Sequence, residues 1–209
     1  MIERMLAAGV TAAARILTGV RGEWSGCMPE PRPRIYFANH RSHGDFVLIW
    51  TVLPPRLRRQ TRPVAAADYW GSGLRHFIGE RVFDAVLVAR DGASRDSDPV
   101  GALAAALDAG ASLILFPEGT RNTTPERLLP FKSGLYRLAS ARPDVELVPV
   151  WIDNLNRVLP KGEFVPVPLL CTVTFGAPLA LQPGEGNVPF RERSRQALLD
   201  LAPAERSEA

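Results

Sequence analysis

Short apolar runs of strand length, at residues 34–38, 63–67, 84–89, 112–116, 146–152 and 170–175, alternate along the chain with stretches of helical character. That alternation constrains the fold more than any other feature, because strands interleaved with helices assemble as a layered α/β structure with a largely parallel or mixed sheet. The helical stretches fall at 2–18, 45–53, around 72–82, 98–110, 133–141 and 190–201. Local punctuation agrees with them. Pro54 and Pro55 stop the second helix, Asp98 followed by Pro99 reads as an N-cap and first turn, and Gly110 is a natural stop after the helix-forming run 102–107. The expected architecture is α/β in a single domain, with a mixed, largely parallel sheet flanked by helices. Residues 1–30 are read as an N-terminal helix and approach segment, 31–203 as the main domain, and 204–209 as a disordered tail.

With 209 residues, 46% of them hydrophobic, the chain can build one well-packed core and is short for two. A net charge of +3 and an isoelectric point near 9.2 suit anionic partners such as phosphorylated lipids, CoA or a membrane surface, and on charge alone nucleic acid fits equally. Cys27 and Cys171 stand far apart without C-x-x-C spacing or a histidine cluster, which argues against a zinc site or a disulfide framework and for a reducing cytoplasmic setting. The N-terminal apolar run carries Arg4 and Arg15 and reaches no A-x-A cleavage pattern, so it does not read as a signal peptide. No window offers about twenty uninterrupted apolar residues, and no transmembrane span is expected.

The chemistry concentrates in two segments. The first runs from Asn39 through His40, Arg41, Ser42, His43 and Gly44 to Asp45, where the strand at 34–38 gives way to a helix. A helix start there can bring Asp45 against one ring nitrogen of His40, fixing the tautomer and leaving the other nitrogen as a general base. On its own such a pair is a weak signal. The second segment, Phe116 to Arg121, follows the strand at 112–116. There Gly119 permits close backbone approach, Thr120 offers a hydroxyl and Arg121 a planar fork suited to phosphate. Both segments fall at the C-terminal ends of expected strands, the edge where α/β sheets build ligand sites, and Arg90 ends a third strand pointed at the same edge.

Taken in order, Asn39-His40-x-Ser42-x-x-Asp45, Arg90, Phe116-Pro117-Glu118-Gly119-Thr120-Arg121 with the following Phe131-Lys132-x-Gly134, and Val148-Pro149-Val150 resemble the four blocks of the glycerolipid acyltransferases, the lysophosphatidic acid acyltransferase (PlsC-like) group. The resemblance spans roughly residues 34 to 152 and implies a glycerol-3-phosphate acyltransferase-like fold for the domain at 31–203. It implies His40 as general base and Asp45 as its orienting partner, with Asn39 and Ser42 in support. It assigns Arg90, Glu118, Gly119, Thr120 and Arg121 to the acceptor's glycerol phosphate, with Lys132 beside them either on phosphate or in a solvated loop. Pro149 falls in a block linked to the acyl-donor side. The implied activity moves a fatty acyl group from acyl-CoA or acyl carrier protein to the free hydroxyl of a lysophospholipid, foremost 1-acyl-glycerol 3-phosphate giving phosphatidic acid. No metal, cofactor or nucleic acid enters this scheme. A peripheral or monotopic place on the cytoplasmic face of the inner membrane follows from the lipid substrate and the absent span. Two positions depart from the pattern: Asn122 stands where Ser is common, and His43 fills a variable place.

Other readings stay open at this point. Within acyl transfer the acceptor is alternatively glycerol 3-phosphate, another lysophospholipid or a lyso-aminolipid. An acyl-thioester hydrolase shares His40 and Asp45 but needs no phosphate seat, and a lipid-binding domain needs no base. Ser42 lacks the G-x-S-x-G elbow of a nucleophile and suits loop capping. His43 and His76 read as surface or packing residues, and Cys27 and Cys171 as inert. Arg56, Arg58, Arg59 and Arg62 form a basic stretch suited either to anionic headgroups or to a solvated loop. Met5, Leu6, Val10, Ile16 and Leu17 of the first helix lie in an interface or pack on the domain.

Overall fold

The structure, a computed structural model, describes residues 2–66, 83–88, 98–153 and 170–204. The expected helix around 72–82, His76, Arg90 and the tail at 205–209 lie outside the described residues. In chain order the elements are α1 (Ile2–Thr18), β1 (Arg21–Trp24), β2 (Arg34–Ala38), α2 (Asp45–Val52), α3 (Pro55–Gln60), β3 (Thr61–Ala66), β4 (Val86–Val88), α4 (Pro99–Asp108), β5 (Ser112–Leu115), α5 (Gly134–Ala141), β6 (Glu146–Asp153), β7 (Thr172–Phe175) and α6 (Asn187–Leu199). The strands form one seven-stranded sheet in the order β1-β7-β6-β2-β5-β3-β4. Strands β6, β2, β5, β3 and β4 run parallel, while β7 is antiparallel to β6 and carries β1 parallel to itself.

The sheet is covered on both faces. Ile35, Phe37, Leu113, Leu115, Leu147 and Trp151 pack under α4, α5 and α6 through Leu103, Leu107, Leu135, Leu138, Phe190 and Leu198. Tyr36, Ile114, Val148, Val150, Val173 and Phe175 pack under α2 through Leu48, Ile49 and Trp50 and the adjoining Leu53, with Ala7 and Val10 of α1 against the same cluster. Two-sided burial explains why the central strands read as unbroken apolar runs rather than as alternating ones. Helix α4 forms as its punctuation demands: Asp98 Oδ1 accepts from the Gly101 N–H at 2.9 Å, Pro99 opens the first turn, and Gly110 leaves it at φ +85°.

Three elements differ from expectation. Strand β1 falls within the expected approach segment. Its four residues are largely exposed and carry no periodic signal, and it exists because β7 offers it an open edge. Helix α6 begins three residues earlier than its apolar pattern, at Asn187, since Pro189 in the first turn lacks an N–H that would have had no intrahelical partner anyway.

The third is the basic stretch, which is not a loop: Arg56, Arg58 and Arg59 lie on α3 and Arg62 on β3. Arg58 turns back onto α2, donating to the carbonyls of Trp50 (3.0 Å), Thr51 (2.7 Å) and Leu53 (2.9 Å) while its guanidinium lies over the Trp50 ring. These include carbonyls that a helix end leaves without intrahelical partners. Burial, with Arg15 nearby, lowers the Arg58 pKa. Arg62 pairs with Asp84. Arg56 and Arg59 remain exposed.

Candidate functional site

Strand β2 delivers His40 to the carboxyl edge of the parallel strands. Asn39 sets the exit: its buried amide accepts from the Ile152 N–H at 2.8 Å and donates to the Ile152 carbonyl at 3.0 Å, prolonging the β2–β6 pairing by one side chain. Beyond it the chain turns into α2, whose first residue is Asp45. Asp45 Oδ2 lies 2.9 Å from His40 Nδ1 and also accepts the N–H groups of Arg41 (2.7 Å) and Ser42 (2.8 Å). Because a carboxylate only accepts, Nδ1 carries the hydrogen, and in the neutral ring Nε2 then presents a lone pair. His40 Nε2 makes no hydrogen bond to a described residue, and the His40 side chain is 20% exposed while that of Asp45 is 2% exposed. The imidazole stacks on Phe116, with ring centroids 4.2 Å apart and planes 18° apart. Ser42 Oγ accepts from the Gly44 N–H, the loop-capping role its sequence context suggests.

The second segment leaves β5 and closes onto the first. Gly119 N–H donates to Phe116 O in a tight turn at φ +70°, a left-handed conformation natural to glycine. A Cβ there would stand 2.7 Å from Lys132 Cδ, because the Lys132 side chain passes over this turn. Lys132 is tied to the turn through its N–H to Pro117 O at 2.8 Å. Thr120, Arg121 and Lys132 are exposed, so two cations border the turn beside His40.

Glu118 is turned inward. Its Oε1 accepts the His40 N–H at 2.7 Å and its Oε2 the Leu129 N–H at 2.9 Å. Burial raises the Glu118 pKa, against the pull of the two N–H donors and of His40 and Arg41. Asn122 N–H donates to His40 O at 2.6 Å, and the buried Asn122 side chain holds its own loop through Thr124 and Glu126. Both backbone polar groups of the histidine are therefore held by residues 78 and 82 positions further along the chain.

Of the residues singled out from sequence, Asn39, His40, Ser42, Asp45, Glu118, Gly119, Thr120, Arg121 and Lys132 meet at one sheet edge. Glu118 differs from its anticipated place on a phosphate, since both its oxygens are engaged internally and a carboxylate repels a phosphate. Pro149 is a buried β6 residue in register with Phe37, packed near Gly176 and Leu201. Sequence reasoning missed Phe116 as the ring under His40, although it opens the second block. It also missed Arg41, whose guanidinium donates to the carbonyls of Glu126 and Arg127, and Asn122 as a latch. Their partners are distant in sequence, so no local pattern announces them.

The family model described as Acyltransferase matches residues 25–153 of the chain. Among curated proteins none matches it. Among solved structures, the fold matches the 1-acyl-sn-glycerophosphate (LPA) acyltransferase PlsC from Thermotoga maritima with a TM-score of 0.71, covering 97% of this chain and 83% of that one at 19% identity. At that identity the likeness is one of fold.

Proposed function

Because this chain belongs to the acyltransferase family, we propose that it moves a fatty acyl group from acyl-CoA or acyl carrier protein to the free hydroxyl of a lysophospholipid, with 1-acyl-glycerol 3-phosphate as the acceptor. The observation that carries this reading is the His40–Asp45 pair, with Nε2 open and the backbone of His40 clasped by the loop that bears Arg121. His40 Nε2 takes the proton of the acceptor hydroxyl as its oxygen attacks the thioester carbonyl. The Asp45 carboxylate steadies the resulting imidazolium, which returns the proton to the thioester sulfur as the C–S bond breaks and the thiol leaves. General-base assistance of this kind contributes about 10²- to 10⁴-fold. Thr120, Arg121 and Lys132 bind the acceptor's phosphate, and Arg90 is assigned to it as well. The choice of acceptor follows these cations and the activity named for the T. maritima enzyme. Direct transfer of this kind requires no covalent acyl-enzyme, metal or cofactor.

No described helix is long and apolar enough to cross a membrane. Attachment by one face of α1 suits the reading better. Its inner side is small or weakly apolar (Ala7, Val10, Thr11, Thr18), whereas Met5, Leu6, Ile16 and Leu17 face outward, Ile16 at 80% exposure. Arg15 is the only charge between Met5 and Thr18. A helix that turns its bulky apolar side away from the core suits the headgroup boundary of a bilayer. The test is acyl transfer by purified protein from labelled acyl-CoA to a panel of lysolipids, repeated with His40→Ala. Acceptor-dependent product that disappears in the variant is expected; equal product from both refutes the assignment of the base.

A further inference from the structure

Helix α6 lies outside the 25–153 segment that matches the family, yet it reaches the site. Arg195 donates through Nη2 to Leu128 O at 2.6 Å and through Nε to Leu129 O at 3.3 Å. Arg191 Nη1 donates to Phe131 O at 2.9 Å. The segment at 122–133 has no helix or strand of its own to satisfy its carbonyls, so side chains do so, Arg41 from one side and α6 from the other. Leu129 is the joint. Its carbonyl accepts from Arg195, its N–H donates to Glu118 Oε2 at 2.9 Å, and Glu118 Oε1 accepts the His40 N–H at 2.7 Å. A continuous run of hydrogen bonds connects the C-terminal helix to the backbone of the catalytic histidine.

We propose that Glu118 and Arg195 are positioning residues for His40, coupling α6 through Leu129 to the orientation of the base. The proposal rests on the acyl-transfer reading for its kinetic readout. Glu118 touches no reacting atom in this scheme. A buried carboxylate is costly unless donors hold it, and the two N–H groups do so in one fixed geometry. Burial raises its pKa, and these two donors pull it back toward the charged form. Should Arg195 release the Leu129 peptide, Glu118 loses a fixed donor and His40 loses its brace. A general base must sit within hydrogen-bond reach of its proton, and a displacement of about 1 Å can cost about 10²-fold.

The expected result for Arg195→Ala is a fall in kcat of about tenfold with acceptor KM changed less than about twofold, and Arg195→Lys restores part of the loss. Arg193→Ala is the control on the same helix: it removes bonds to Glu185 and Ala180 O and leaves kcat at the wild-type value. Arg195→Ala combined with Glu118→Gln loses little more than the worse single variant, because both cut one path. Amide hydrogen exchange at the His40 N–H accelerates in Arg195→Ala and Glu118→Gln but not in Arg193→Ala. That readout is independent of turnover, so a wild type that transfers no acyl group would end the functional reading and still leave the coupling to be decided. Unchanged His40 exchange in Arg195→Ala, or fully additive losses in kcat, overturns the proposal. Arg195→Gln, which keeps an amide donor on a shorter stem, carries the same comparison if the alanine variant fails to fold.

Discussion

Exchanging Asp45 for asparagine keeps the side chain's shape and removes its charge, which separates the two tasks this residue performs. Asp45 Oδ2 accepts from three donors: His40 Nδ1 and the N–H groups of Arg41 and Ser42. In Asp45→Asn the two backbone donors dictate which way the new amide turns, because the NH₂ group placed against them would oppose donor to donor. The amide oxygen therefore takes the position of Oδ2, and His40 keeps its hydrogen on Nδ1. What is lost is the negative charge under the imidazolium, together with the difference between charged and neutral acceptors, about 1–2 kcal/mol of stability. With the tautomer preserved, the fall in kcat is expected at about 10²- to 10³-fold, within the range of general-base assistance. Asp45→Ala orphans both N–H groups as well, at about 1–3 kcal/mol each, and at about 2–4 °C per kcal/mol its melting temperature drops by roughly 10 °C. Measuring kcat with saturating acyl-CoA and lysophosphatidic acid, beside the melting temperature of each variant, tests both halves. An Asp45→Asn protein that melts like wild type and turns over within about twofold of it refutes the role of the carboxylate in supporting His40.

Other consequences follow from the same geometry. Arg58→Ala strips three carbonyls at the end of α2 of a charged donor and is expected to cost about 1–3 kcal/mol, read as a lower urea midpoint with kcat of the folded fraction unchanged. Gly119→Ala imposes a left-handed φ on a residue with a Cβ, about 1 kcal/mol, and displaces Lys132 from the turn, so acceptor KM rises by more than kcat falls. Ile16→Asp on the outer face of α1 is expected to weaken sedimentation with anionic vesicles while leaving the melting temperature within about 2 °C, since the side chain is 80% exposed. Vesicle binding equal to wild type would count against α1 as the attachment face.

The features legible from sequence were those whose physical cause is local. Strand runs and helical stretches declare themselves through periodicity, and α4 through an N-cap, a first-turn proline and a terminal glycine that act within a few residues. The His40–Asp45 pair belongs here too, because five residues spanning a loop and a helix start suffice to bring the groups together. Tertiary structure decided where each element found its partner. Strand β1 depends on an edge that β7 supplies, and Arg58 on carbonyls that become exposed only when α2 ends where it does. The outward turn of α1's bulky side chains is set by which side packs on α2, which the helical period alone leaves undecided. Glu118 shows the difference most clearly. Its residue type and its place next to a glycine turn suit an acceptor-facing role, but two backbone N–H groups, from His40 far upstream and from Leu129, hold it inside. A sequence states which groups are available to bond; the packed chain determines which of them meet, because an unsatisfied buried donor costs more than any local preference gains.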